Sequence, residues 1–168
     1  EMSTPEYRER YGIVTGDRDI VMETYSFTRA DRERMSRLRM AYRCFEHFGL
    51  LRHILRYLQW DLGLEASRVI DRIERVSTEF PYRYPLTTWV LGYLDLFLAP
   101  PFSWTVFYDE ICDLCEHEFG IELNDQLLSV VAVQIAIMPA QQRDFPAVVT
   151  LKHDYVAWYD AHCVESVG

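Results

Sequence analysis

The residues most able to do chemistry in this sequence are Cys112 and Cys115, in a Cys-x-x-Cys pair with His117 two positions later. A structural zinc site needs four ligands in tetrahedral geometry, and this pair supplies two. On a helix, His117 would lie about 140° around the axis from Cys112, and no second Cys-x-x-Cys pair follows. Thiols at positions i and i+3 of a helix are ordinary packing residues. We interpret the pair as packing, with metal binding and redox chemistry as alternatives.

His153-Asp154 is the second candidate, because His-Asp pairs bind metal in helical phosphohydrolases. Such a site needs further His and Asp ligands. His47 and His53 are present, but the sequence contains no second His-Asp pair. The pattern therefore favours a local cap or turn, and a small metal-dependent enzyme that uses His153 and Asp154 is the alternative.

Arg52 and Arg56 stand one helical turn apart beside Phe48-Gly49, and could clamp a carboxylate or phosphate in a bidentate manner. A salt-bridged surface pair is the simpler interpretation. Residues 29–56 contain eight arginines against three acids, a local charge of +5 that leaves −14 in the rest of the chain. This stretch is either the solvated face of a helix or a docking surface for an acidic partner or anionic ligand.

Other catalytic signatures are missing from the sequence. It has no Glu-x-x-His of the carboxylate-bridged di-iron bundles, no Gly-rich phosphate loop and no Ser-His-Asp arrangement. On motifs alone, the sequence does not support catalysis.

Apolar residues recur at steps of three and four, which predicts a mainly α, irregular helical domain. Thr28, Ser103 and Asn124 are predicted N-caps, and Gly63 and Gly120 predicted stops. Gly49 is expected to mark a bend inside the first helix or a close approach of another helix. One short two-stranded pairing of residues 19–25 with 147–151 is also compatible with the pattern. The predicted helices span residues 28–62, 65–78, 86–98, 103–119 and 124–138.

Composition and charge restrict the class of protein. At 168 residues, 49% apolar and 14% aromatic, the chain can bury a large core as a single domain. A net charge of −9 argues against a general nucleic-acid binder. No apolar run reaches the roughly 18 residues of a membrane span, and no signal peptide is recognisable. We therefore expect reduced cysteines and a cytoplasmic location. The opening Glu1-Met2 indicates a processed piece rather than a natural start.

Two segments resemble a known family. IVMETYSFTRADRERMSRLRMAYRCFEHFGLLRHILRYLQ (Ile20 to Gln59) is similar to the region after the barrel in cobalamin-dependent radical S-adenosylmethionine enzymes, in particular methyltransferase-like members. Its Phe-Gly-Leu-Leu-Arg element occupies Phe48 to Arg52. LKHDYVAWYDAH (Leu151 to His162) resembles the closing segment of that family. Together they cover about a third of the chain, and residues 60–146 match only in helical character.

The resemblance implies a parent enzyme of three parts: a cobalamin domain, a radical barrel that holds a [4Fe-4S] cluster and S-adenosylmethionine, and a helical C-terminal cap. Residues 1–18 would be a lead-in, and 19–168 the cap. The usual Cys-x-x-x-Cys-x-x-Cys cluster motif is absent here. The chain alone is therefore not expected to be an enzyme, and the family's catalytic, cofactor and metal residues find no match on it.

We accordingly expect an accessory domain that packs on the barrel and cobalamin domain of the same parent chain and caps the substrate site. The alternative is a stand-alone helical interaction module, homodimeric through exposed aromatic side chains. The candidate domain-contact or substrate-facing residues are Arg52, Arg56, His153, Asp154 and Tyr155.

Overall fold

The computed structural model describes residues 26, 28–92, 100–139, 146 and 148–165. The chain divides into two compact units, Glu1–Met35 and Ser36–Gly168. The described residues form seven α-helices and no strand, which confirms the mainly α class. The helices are α1 (Arg29–Tyr42), α2 (Arg52–Trp60), α3 (Ala66–Glu79), α4 (Pro85–Gly92), α5 (Trp104–Phe119), α6 (Asp125–Ile137) and α7 (Tyr155–Glu165), and a π-helical segment (Arg43–His47) follows α1.

In the first unit, described at residue 26 and residues 28–35, Thr28 begins α1 as predicted. The backbone N–H of Asp31 donates to Thr28 Oγ1 at 3.2 Å, and the backbone N–H of Thr28 donates to Asp31 Oδ2 at 2.9 Å. This reciprocal pair satisfies two N–H groups at the helix start. The hydrogen bonds from Thr28 hold the pKa of Asp31 below its ordinary 3.8. The lead-in at 1–18 and the strand candidate at 19–25 lie outside the described residues.

The prediction of one helix over residues 28–62 is wrong, because the chain breaks at Gly49. That glycine has a φ of +78°, in the left-handed region. The N–H groups of Leu50 and Leu51 reach back six residues, to the carbonyls of Cys44 at 3.2 Å and Phe45 at 3.0 Å. These bonds close the end of the π-helical segment, and α2 then begins as a separate helix.

The other predicted boundaries are mostly confirmed. Ser103 Oγ accepts from the N–H of Val106, and Asn124 Oδ1 accepts from that of Leu127, at 3.4 and 2.8 Å. Gly120 ends α5 with a φ of +65°. Helix α4 covers the first part of the predicted 86–98 helix, and residues 93–99 lie outside the described part. Of the second strand candidate, residues 148–151 are described, and they form no strand.

Helix α2 lies at the centre of the second unit. It packs against α6 and α3, while α4 bridges α3 and α5, and α7 packs on α6. Large rings fill the core between these helices, and the hydroxyl of fully buried Tyr108 donates to the carbonyl of Leu50 at 2.6 Å. Throughout the described ranges, each helix falls short of the length and apolarity that crossing a bilayer requires.

Candidate functional site: the helix seam

Asp154 is the residue before helix α7 and caps its N-terminus. Its Oδ1 accepts from the N–H of Ala157 at 3.0 Å, and its carbonyl accepts from the N–H of Trp158 at 3.1 Å. The preceding N–H of His153 donates to Ser129 Oγ on α6 at 3.1 Å. The interpretation of His153-Asp154 as a local cap is therefore confirmed for Asp154. Nowhere in the described ranges do three His, Cys, Asp or Glu side chains converge as metal ligands would.

Helices α2 and α7 meet along a line of rings that we call the helix seam: His53, Tyr57 and Trp60 with the adjoining Asp61, against Tyr155, Trp158, Tyr159 and His162. The rings of Trp60 and His162 stack with centroids 5.0 Å apart and planes 4° apart. Tyr155 and Tyr159 stack at 5.8 Å, and Trp158 contacts Trp60 at 5.4 Å. Such ring contacts add stabilisation beyond the apolar area that they bury.

A short hydrogen bond joins the two helices at one end of the seam. Tyr155 Oη and His53 Nδ1 are 2.6 Å apart. Burial raises the pKa of Tyr155 to about 12, so its phenol stays protonated at neutral pH. Burial, and then the charges of Arg52 and Arg56, lower the pKa of His53 below its ordinary 6.5. At neutral pH the bond therefore joins a protonated phenol to a neutral imidazole, and the tautomer of His53 sets which of the two donates.

Asp61 holds the other end of the seam. Its Oδ2 accepts from Trp158 Nε1 at 2.8 Å, and its Oδ1 accepts from Gln126 Nε2 on α6 at 2.9 Å. One carboxylate therefore ties the end of α2 to both α6 and α7. Because each oxygen has its own donor, the orientation of the Trp158 indole is set by a charge-assisted bond.

The side chain of Gln134, on α6, is fully buried and is hydrogen-bonded to the backbone at the start of α2. Its Oε1 accepts from the backbone N–H of His53 at 3.0 Å, while its Nε2 donates to the carbonyl of Gly49 at 2.8 Å. Leu51, which precedes α2, offers no side-chain cap, so the amide of Gln134 provides the missing acceptor. In the sequence, Gln134 is a single polar residue within the apolar stretch 130–138, and this was the available signal.

Arg52 and Arg56 flank the seam. Arg52 Nη2 donates to the carbonyls of Glu46 at 3.2 Å and His47 at 3.1 Å, and so caps the π-helical segment. Arg56 Nη2 pairs with Glu46 Oε1 at 2.8 Å. The contact of Arg56 fits the simpler interpretation, a surface salt bridge. Arg52 instead donates to backbone carbonyls. Binding of an outside anion stays a prediction.

The five candidate residues therefore gather around α7. Tyr155 lies in the seam, and Asp154 caps its helix. Arg52 and Arg56 lie close enough for their charges to oppose the rise that burial causes in the pKa of Tyr159. His153 is half-buried, anchored through its backbone on α6.

The Cys112/Cys115 pair lies elsewhere, on α5. Burial, followed by nearby charges, raises the pKa of Cys112 to about 11 and that of Cys115 to about 12. His117 Nδ1 is 2.8 Å from the carbonyl of Asp113 and 3.1 Å from its carboxylate. Because thiol chemistry needs the thiolate, raised pKa values favour packing over redox chemistry.

The groups of the helix seam form a structural contact between helices rather than a reactive centre. The phenol of Tyr155 is protonated and the imidazole of His53 is neutral at pH 7. The indole of Trp158 donates to the carboxylate of Asp61. A nucleophile would need a lowered pKa or a base to activate it. Comparison of the chain with protein-family models, with curated proteins and with solved structures gives no match.

Proposed function

We propose that this chain is a helical accessory domain like the cap that follows the barrel in cobalamin-dependent radical S-adenosylmethionine enzymes. In this proposal, the [4Fe-4S] cluster, S-adenosylmethionine and cobalamin belong to other domains of a cytoplasmic parent enzyme. The chain itself supplies a wall over the substrate site. A wall of this kind excludes water from reactive intermediates without touching the reacting atoms.

One observation carries the proposal. His53 and Tyr57, from the first of the two segments that resemble the family, contact Tyr155 and Trp158, from the second, at the helix seam. His53 and Tyr155 are 102 positions apart in sequence, yet their side chains are hydrogen-bonded. A shared structural role would explain why both segments resemble the family in sequence, whereas residues 60–146 resemble it only in being helical.

The seam also leaves a surface for the proposed contact. Trp158 faces inward with 7% of its surface exposed, whereas Val156 of the same helix is 65% exposed. Arg52 and Asp154 are also exposed. We propose that the barrel and cobalamin domain of the parent contact this side of α7.

The first test asks whether the purified chain binds the cofactors by itself. After anaerobic reconstitution with iron, sulfide and hydroxocobalamin, we expect neither to bind stoichiometrically. The matched control is Cys112→Ser/Cys115→Ser, which separates iron bound through these thiols from iron adsorbed elsewhere on the chain. Stoichiometric cobalamin, or iron that the double variant loses, would overturn the accessory role.

The second test reads the gene around the coding region. We expect the same reading frame to encode a Cys-x-x-x-Cys-x-x-Cys motif upstream of residue 1. A frame that starts at this chain and encodes no such motif would contradict the proposal independently of the binding result.

The alternative, a homodimeric interaction module, is favoured by exposed aromatic side chains after α3. Tyr82 is 99% exposed and Phe80 is 53% exposed. Sedimentation velocity on the chain and on Phe80→Ser/Tyr82→Ser decides this alternative. A dimer that the double substitution converts to monomer supports the module, and a monomer in both cases removes it.

A further inference from the structure

A cavity of about 480 Å³ lies between α1, α3 and α4 in the second unit, away from the helix seam. Met40, Pro81 and Leu91 supply apolar wall from α1, the loop after α3, and α4. Arg37 and Glu74 supply charge. Small-molecule sites in proteins have this composition, a mainly apolar lining with a few polar groups, and volumes of roughly 300–1,000 Å³.

The ion pair in the wall has unused hydrogen-bonding capacity. Arg37 Nε donates to Glu74 Oε1 at 2.8 Å, and Thr78 Oγ1 donates to the same oxygen at 3.2 Å. The side chain of Glu74 is only 8% exposed, and that of Arg37 is 48% exposed. Within the described part of the chain, the side-chain bonds of the pair run through Nε and Oε1 alone. The guanidinium Nη groups can still donate, and Glu74 Oε2 can still accept.

The charge of the pair selects among ligands. Arg37 and Glu74 neutralise each other, so an incoming carboxylate would approach the buried charge of Glu74, and an incoming ammonium would approach Arg37. Either would place a like charge beside one member of the pair, at a cost. A neutral group with one acceptor and one donor side by side meets both partners. A primary amide has this arrangement.

We propose that this cavity binds a neutral, mainly apolar small molecule that ends in a primary amide. The amide carbonyl accepts from the Nη groups of Arg37, and the amide N–H donates to Glu74 Oε2. The apolar part of the ligand packs on Met40, Pro81 and Leu91. This site is separate from the helix seam and does not depend on the accessory role.

Three ligands that differ only in their head group test the charge argument: octanamide, octanoate and octylamine. Binding to the full chain is measured by titration calorimetry at neutral pH. We expect octanamide to bind at least about tenfold more tightly than either charged analogue, the ratio for one mispaired charged group. Equal binding of all three, tighter binding of a charged analogue, or no binding of octanamide would overturn the proposal.

Substitutions in α1 test whether octanamide binds in this cavity. Arg37→Gln should weaken octanamide binding about tenfold, since a charge-assisted donor is lost. Arg39→Gln is the matched control, because Arg39 is an exposed arginine of the same helix outside the cavity wall, and its binding should be unchanged. Met40→Trp should fill the cavity and abolish binding, with circular dichroism to verify folding. Should that variant not fold, the two arginine variants decide. An equal loss of octanamide affinity in Arg37→Gln and Arg39→Gln, or no loss in either, contradicts the proposed site.

Discussion

The helix seam and the cavity between α1, α3 and α4 combine rings, apolar groups and polar groups in opposite ways. In the seam, stacked rings fill the space between α2 and α7, and Tyr155 and His53 meet as a neutral donor and acceptor. At the cavity, the described residues of three helices leave a space of about 480 Å³ between them, and a salt bridge between Arg37 and Glu74 lines it.

This difference distinguishes a structural contact from a ligand-binding site. A filled, hydrogen-bonded contact gains dispersion energy and leaves little capacity for a ligand. An unfilled cavity forgoes that energy, and its unsatisfied donors and acceptors favour a molecule that completes them. We therefore expect substitutions in the seam to act on stability, and substitutions at the cavity to act on binding.

The largest expected effect is at Trp158. Trp158→Ala removes a nearly buried indole and its bond to Asp61, and should lower the free energy of unfolding by about 3–5 kcal/mol in urea titrations. The matched change at the cavity, Met40→Ala, truncates a side chain that already borders empty space. Its cost should stay below about 2 kcal/mol, the low end for a packed methionine. Equal costs would remove the distinction between the two regions.

Gln134→Leu should come next. It keeps the volume but leaves the buried N–H of His53 without its acceptor, at about 1–3 kcal/mol. The carbonyl of Gly49 loses one of its two donors and keeps the N–H of Arg52. Gln126→Leu, at a more exposed position, removes a single bond to Asp61 and should cost about 1 kcal/mol or less. Urea unfolding of both variants measures the difference, and a larger loss for Gln126→Leu would refute the role given to Gln134.

A smaller loss is expected at the break before α2. Gly49→Ala places a Cβ on a residue with φ of +78°, and its Cβ would lie 3.3 Å from the Arg52 guanidinium. The strain should cost about 1–2 kcal/mol. Gly92→Ala, in α4 with open space around its Cβ, should instead stabilise by up to about 1 kcal/mol. Thermal unfolding of the pair gives the sign of each change.

The smallest effect concerns pH. Burial, then Arg52 and Arg56, hold the pKa of His53 in the folded chain below its ordinary 6.5. The unfolded chain therefore binds this proton at a higher pH than the folded chain does. The contribution of His53 to stability is complete above 6.5 and is lost as the pH falls from 6.5 through the folded-state pKa. His53→Gln should lose less stability than the unmodified chain between about pH 7.5 and about pH 5.5. Parallel losses would show that other groups carry the dependence.

The sequence by itself determined the features that depend on near neighbours. Thr28, Ser103 and Asn124 cap helices because each side chain reaches an N–H three residues ahead. Gly120 ends α5 because it can adopt a left-handed conformation that other residues adopt at a cost. The mainly α class followed from the same local periodicity.

Only the tertiary structure decided the split of the predicted 28–62 helix, the partners of Gln134 and the helix seam. A stripe of apolar residues looks alike on one long helix and on two shorter helices that bury the same face, so periodicity could not detect the break at Gly49. The bonds from His53 to Gln134 and Tyr155 span 81 and 102 positions. Contacts at such separations depend on how whole helices pack, and no local pattern of residues specifies which distant side chain will meet them.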